Sequence, residues 1–264
     1  MEIFGYIASV FIGISLGLIG GGGSILTVPV LVYLFGIDTF LATEYSLFIV
    51  GISSSVGSAS YFKKGLVNLK TAFIFGVPSI VSIFLTRNFL LPVIPGEVFR
   101  IGNFIVTKDI FLLLLFAGLM ITASYKMIWK RMESKIETVP AENNNITLAV
   151  AEGSVVGILT GLVGAGGGFM IIPALVNLLK IPMKVAIGTS LVIISLNSLI
   201  GFFSSMNHVK IEWDLLATIS AIAIVGIIIG SQLSKKIDGK KLKPAFGWFN
   251  LVMGIYIIIK ELFF

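Results

Sequence analysis

Residues 13–34 read GISLGLIGGGGSILTVPVLVYL, and residues 157–178 read GILTGLVGAGGGFMIIPALVNL. The second stretch is the first moved 144 positions along the chain. Extended without a gap, the comparison lays Gly13–Lys70 over Gly157–Asp214, and 19 of the 58 pairs are identical. Gly17, Gly20, Gly22, Gly23 and Pro29 fall on Gly161, Gly164, Gly166, Gly167 and Pro173. Ser46, Ser54, Gly57 and Ser60 fall on Ser190, Ser198, Gly201 and Ser204. An apolar composition produces chance matches of Leu, Ile and Val, but not glycines and a proline in register. The chain is an internal duplication.

The solvent of this chain follows from its composition. Of 264 residues 56% are apolar and 12% charged, about half the roughly 25% charge of a soluble domain. The mean hydropathy is +1.05. A soluble chain of this length cannot hide so much apolar surface, so a soluble enzyme and a disordered protein are both excluded. Apolar runs of twenty residues or so exclude an outer-membrane barrel, whose strands alternate over about ten residues. The reading is an all-α polytopic membrane protein of two repeats, with eight to ten membrane segments of about 20 residues or less. Apolar stretches lie near 3–19, 24–36, 41–62, 71–86, 110–129, 147–163, 168–179, 184–206, 213–233 and 245–263. Residues 1–130 make the first membrane repeat, 131–146 a cytoplasmic linker and 147–264 the second repeat. The N-terminus lacks a basic leader and reads as the first membrane segment. The net charge of +6 reads as basic residues at helix ends, with no nucleic-acid partner.

The glycines decide how the first segment of each repeat runs. As one helix, residues 3–35 would span about 50 Å against a hydrocarbon core of about 30 Å. Each of the four glycines at 20–23 weakens a helix by about 1 kcal/mol, and Pro29 and Pro173 each remove a backbone donor. Both stretches break, and the chain either continues across or turns back. Charge separates these cases. If each stretch turns back, 14 of the 19 basic residues gather on one face, and Arg87, Arg100, Lys108, Lys210 and Lys260 take the other. If each crosses, the split is 9 to 10. The positive-inside rule selects the first. It puts both termini outside, Lys130–Asn145 in the cytoplasm, and the repeats in inverted orientation. Inverted repeats with interrupted helices at matching places are a transporter signature, with the site where the breaks meet near the midplane.

The candidate substrate-binding residues are those of the breaks and of the polar faces that follow. From the breaks come Gly20, Gly22, Gly23 and Ser24 in the first copy, and Gly164, Gly166, Gly167 and Gly168 in the second. The returning half-helices are expected to begin near Ser24 and Gly168, offering free N–H groups and a positive dipole end to an anion. From the next helices come Ser46 and Ser53, then Thr189, Ser190 and Asn197; Asn197 stands out because an amide inside a membrane needs a partner. Glu44 reads as a helix-start acid near the interface, with proton coupling as the sharper role. No Lys or Arg sits mid-segment, so the anion is expected to be held without a buried countercharge. His208 ends a segment. One histidine and no cysteine exclude a multi-histidine or thiolate metal site and thiol chemistry. No nucleophile, base and acid come together, and no cofactor is expected.

The doubled glycine pattern with a proline six residues on, AIGTSL at Ala186–Leu191, LFAGLMITASYKMI at Leu115–Ile128 and KIDGKKLKPAFGWFNLVMGIYIII at Lys236–Ile259 resemble the TauE/SafE family of membrane permeases, the sulfite exporters. The resemblance covers essentially the whole chain. It implies transport of small sulfur-containing anions, such as sulfite and organosulfonates, across the cytoplasmic membrane. The first copy departs from the second at one place, with Glu44-Tyr45-Ser46 where the second has Gly188-Thr189-Ser190. Three readings stand at this point: a secondary transporter of a small anion, an anion channel of the same architecture, and a membrane sensor without transport. The partners implied are the anion and the lipid bilayer, and homo-oligomerisation stays open.

Overall fold

A computed structural model describes residues 2–101, 104–128, 146–164, 166–177, 179, 181–205, 211–234 and 239–263. Most of the linker 131–146, and His208, lie outside these. The first half runs α1 (Glu2–Ile19), a 3-10 turn (Gly22–Leu26), α2 (Thr27–Phe35), α3 (Thr39–Phe62) and α4 (Leu69–Leu85). A π-helical turn at Thr86–Leu90 carries α4 into α5 (Leu91–Val93), followed by β1 (Glu97–Ile101), β2 (Phe104–Thr107) and α6 (Lys108–Ile128). The second half runs α7 (Ile146–Val163), α8 (Gly168–Asn177), α9 (Met183–Ser205), α10 (Trp213–Leu233) and α11 (Gly239–Phe263). Adding 144 to the ends of α1 gives the ends of α7, and adding it to the starts of α3 and α4 gives those of α9 and α10.

Local chemistry sets the boundaries. Asp38 caps α3 by accepting from the N–H groups of Phe40 at 3.0 Å and Leu41 at 3.3 Å, and Asn68 caps α4 through Thr71 N at 3.0 Å. Such caps satisfy N–H groups that have no partner inside the helix. Among the described residues, the short antiparallel pair β1–β2 is the one strand pair added to an all-α expectation. Its sequence carried the signal, two β-favouring runs around Gly-Asn.

Among the described residues, six helices are long and apolar enough to cross a membrane: Thr39–Phe62, Leu69–Val93, Lys108–Tyr125, Ile146–Val163, Met183–Ser204 and Trp213–Leu233. The stretches Ile3–Ile19 and Gly23–Phe35 are apolar but shorter. The outside of the fold is apolar as well. On α4 the exposed residues Phe73, Val77, Val81 and Phe84 recur at helical spacing, a stripe suited to lipid.

Packing exchanges the two halves. α1 packs along α10 and α4 along α7, α3 packs on α9, and α6 on α11. Replacing each helix by its repeat partner returns the same set of pairs. Glycines show the directions. Gly13 lies against Ala223 and Gly226, and Gly17 against Gly230 and Ser231, so α1 and α10 run parallel. Gly153 lies against Phe75 and Gly157 against Ser79, so α7 and α4 run parallel too. α3 and α9 run antiparallel: Gly201 meets Leu47, Gly51 meets Leu199, Ser55 meets Ser195 at 2.5 Å, and Gly57 meets Leu191. These contacts are symmetric about Ser53 and its repeat partner Asn197, which centres the crossing near the middle of both helices.

Candidate functional site

The chain turns back at each glycine cluster. A Cβ on Gly23 would lie 2.5 Å from Leu16 N and 2.6 Å from Ile12 O, which puts the 3-10 turn against the helix just left. At the other end of the hairpin, the rings of Tyr6 and Phe35 meet edge-on with centroids 5.4 Å apart. α1 and α2 are therefore the arms of a hairpin. The second copy repeats it, with Gly167 against Thr160 and Val156 of α7. Gly20 and its partner Gly164 both have left-handed backbones, at φ 78° and 72°, a conformation that strongly favours glycine. The interruption falls at the glycines, since Pro29 is third in α2 and Pro173 sixth in α8. Pro29 lies in the first helical turn, where a missing N–H costs least. The returning arm of the first copy begins its α-helix at Thr27 rather than near Ser24, because the N–H and Oγ of Ser24 both turn to Gly21 O, at 3.3 and 2.8 Å. In the second copy α8 begins at Gly168, as expected.

The two hairpin tips meet. A Cβ on Gly21 would lie 2.6 Å from the Gly168 carbonyl oxygen, and one on Gly168 would lie 2.5 Å from Gly21 Cα. A Cβ on Gly166 would lie 2.8 Å from both Ser198 Oγ and Val50 Cγ1. Glycine tips, and the crossing of α3 and α9, thus share one centre.

Polar groups lie buried at and near that centre. Ser46, Ser53, Ser54 and Ser198 are fully buried, and their hydroxyls have no hydrogen-bond partner. The same holds for the hydroxyls of Thr27, of Thr160 beside Gly167, and of Ser220. Buried polar groups are rarely left unpaired, and those of Ser198 and Thr160 lie directly against the second tip, at Gly166 and Gly167. Ser190 Oγ donates to Ile187 O at 2.8 Å and reaches Gly20 O at 3.1 Å, tying α9 to the first tip. Asn197 Nδ2 donates to Ser79 Oγ at 2.7 Å, while its Oδ1 has no partner. Thr189 faces elsewhere: its Oγ1 accepts the Asn68 N–H at 2.9 Å, before α4. Its repeat partner Tyr45 accepts the Glu212 N–H at 2.6 Å, before α10.

Arg87 corrects the expectation that no cation lies within a segment. α4 continues past residue 86 to Val93, and Arg87 and Glu44 form an ion pair with both side chains fully buried. Glu44 lies in the second turn of α3, fully buried on Arg87. The apolar stretch ends at residue 86 only in hydropathy, since the carboxylate from α3 lets the helix carry the charge inside. Nothing in one helix's own sequence reveals this. The repeat gives the only hint, because Glu44 and Arg87 fall on Gly188 and Ser231.

Among the described residues, one cleft of about 420 Å³ opens where α2 ends and α3 and α10 begin. Its lining includes Phe35, Asp38, Leu41, Tyr45, Glu212 and Leu215. No three carboxylate, histidine or cysteine groups among the described residues come together as a metal site would need.

Comparison with known proteins places the chain among membrane transporters. The family model described as sulfite exporter TauE/SafE matches residues 6–257. A probable membrane transporter protein of Xylella fastidiosa is 31% identical over 94% of this chain and 91% of its own. The probable membrane transporter protein YunE of Bacillus subtilis is 26% identical over 93% of each chain. A probable membrane transporter protein of Methanocaldococcus jannaschii is 27% identical over 96% of this chain and 94% of its own. No solved structure matches. With two hairpins meeting inside a multi-pass apolar bundle and a family match over nearly the whole chain, the protein belongs to the TauE/SafE sulfite exporter family of membrane transporters and is not an enzyme.

Proposed function

We infer that the protein is a secondary transporter of small sulfur-containing oxyanions, binding them between the two hairpin tips and exposing them to each side in turn. The observation that carries this reading is the meeting of Gly21 with Gly168 among buried hydroxyls that have no partner. Glycine brings backbone N–H groups close to a ligand, and hairpin arms starting there point positive dipole ends inward. The family's name supplies the sulfur-containing class. The Glu44–Arg87 pair is neutral as a unit, so the centre holds no net fixed charge.

The repeats are inverted in this reading, and the protein sits in the cytoplasmic membrane with both termini outside. Helix directions support it. A hairpin entering from outside runs beside α10, which then also runs inward. The other hairpin enters from the cytoplasm beside α4, which runs outward. α3 and α9, as repeat partners, run oppositely. With Arg87 inside the membrane, the basic residues divide 14 to 4 in favour of the cytoplasmic side, stronger than the sequence suggested.

The test is uptake into proteoliposomes, with sulfite, sulfate, thiosulfate, sulfoacetate and taurine compared. Saturable uptake of a sulfur oxyanion, accelerated by the same anion on the far side, is the expected result. Saturation without that acceleration identifies a channel, and no uptake of any of the anions overturns the reading.

A further inference from the structure

The Glu44–Arg87 pair departs from the duplication and sits beside the second tip. Arg87 Nη2 donates to Thr43 Oγ1 at 3.4 Å. A Cβ on Gly164 would lie 2.7 Å from both the Cα and the carbonyl oxygen of Thr43. On the preceding residue, Thr86 lies against Gly161 in the last turn of α7. At the first tip the equivalent places are filled by Ile187, Gly188 and Ser231, and Gly20 packs on Ile187 there. The fold thus accommodates Gly and Ser where it also accommodates a charge pair, and closing a hairpin does not require the pair. Ionisable groups inside a membrane are expensive, and they mark binding and coupling sites.

We propose that Arg87 is the anion-binding cation of the second half-site, and that the Glu44 carboxylate occupies it when no substrate does. A sulfite or sulfonate presents to a guanidinium the same fork of oxygens that a carboxylate does. The substrate displaces Glu44 from Arg87 beside the Gly164 tip. A displaced carboxylate left charged in this interior would be severely unfavourable, so Glu44 takes a proton from the side that supplied the anion. One proton then travels with each anion, and the net charge of the pair and its guests is that of the anion and proton together. Tyr45, the residue after Glu44 in α3, lines the cleft where α2 ends and α3 and α10 begin. The other titratable groups on the packed elements are engaged or placed elsewhere. Tyr45 turns to Glu212 N, and Tyr61 turns to Gly17 O and Ser234. Lys108 donates to Leu91 O at 2.7 Å and sits 5.2 Å from the Phe40 ring, residues one helical turn from Arg87 and from Glu44, with Asp109 following it. Asp38 caps α3, Asp214 lies in the first turn of α10, Lys70, Glu152 and Lys184 lie in the first two turns of α4, α7 and α9, and Lys63 and Lys64 follow α3.

This inference rests on the anion-transport reading, and the experiment separates the two. The second half's own residues are placed in the first by E44G/R87S, which should insert and fold because that pair already packs in α9 and α10. In proteoliposomes containing a pH dye, the native protein should take up sulfite with acidification of the lumen. E44G/R87S should raise the KM for sulfite at least tenfold and abolish the coupled acidification. As a second measurement, E44Q in detergent should bind sulfite about tenfold more tightly, because the tethered competitor has lost its charge. If E44G/R87S transports sulfite with native KM and acidification, or if E44Q binds sulfite with native affinity, the proposal is overturned while the transport reading stands. If the native protein takes up none of the anions, it is the transport reading that fails.

Discussion

Gly21 and Gly168 touch through their backbones, and a Cβ on either would come within 2.7 Å of the other's main chain. Neither residue can be enlarged without parting the hairpins. Gly21→Val or Gly168→Val should leave the protein in the membrane and reduce sulfur-oxyanion uptake by tenfold or more. Gly96→Ala, where a Cβ would meet nothing within 4 Å, should leave uptake unchanged. Uptake and membrane levels, measured on the same vesicles, check this.

Hydroxyls without partners predict a split between stability and affinity. Ser54→Ala and Ser198→Ala remove no internal hydrogen bond, so the melting temperature in detergent should hold or rise. The apparent affinity for sulfite should fall by about threefold to tenfold in each, in line with about 0.5–1.5 kcal/mol per hydrogen bond. Ser46→Ala should behave alike.

Asn197 and Ser79 should behave in the opposite way. Asn197→Leu leaves Ser79 Oγ without the donor it has at 2.7 Å, and stability should fall by about 1–3 kcal/mol. Adding Ser79→Ala should recover part of the loss. A double-mutant cycle on thermal unfolding measures the coupling.

The α1–α10 seam should be a matter of folding rather than transport. Gly13 lies against Ala223 O, and a Cβ there would be 2.8 Å from Gly226 Cα. Gly13→Leu should lower the amount of folded protein in the membrane, while the surviving fraction keeps the native KM for sulfite. Size-exclusion yield read beside uptake kinetics tells the two apart.

Topology is open to a clean chemical test because the chain contains no cysteine. An impermeant maleimide added to intact cells should label Gly96→Cys and should not label Asn144→Cys. Labelling of Asn144→Cys from outside would overturn the inverted arrangement.

The duplication was written in the sequence because glycines and prolines in register cannot come from apolar composition. Membrane residence followed from it as plainly, since 56% apolar residues exceed what a soluble fold of this length can bury. The place of each break was legible too, because clustered glycines in an apolar run, GGGG at 20–23 and GAGGG at 164–168, weaken a helix wherever they occur. What the chain does after the break was not a local matter. Propensity says that a helix ends at Gly20; only the contacts of Gly23 with Leu16 and of Phe35 with Tyr6 make the two arms a hairpin. Polar residues on α3 and α9 showed that something polar lay inside, but their partners come from elsewhere. Thr189 holds the start of α4, Asn197 holds Ser79, and Ser54 and Ser198 hold nothing. Arg87 is the clearest case. Hydropathy counts its charge alone and ends the segment at residue 86, whereas the fold counts it together with a carboxylate 43 positions away. A charge pair changes the energy of a helix inside a membrane only once tertiary packing has brought its halves together.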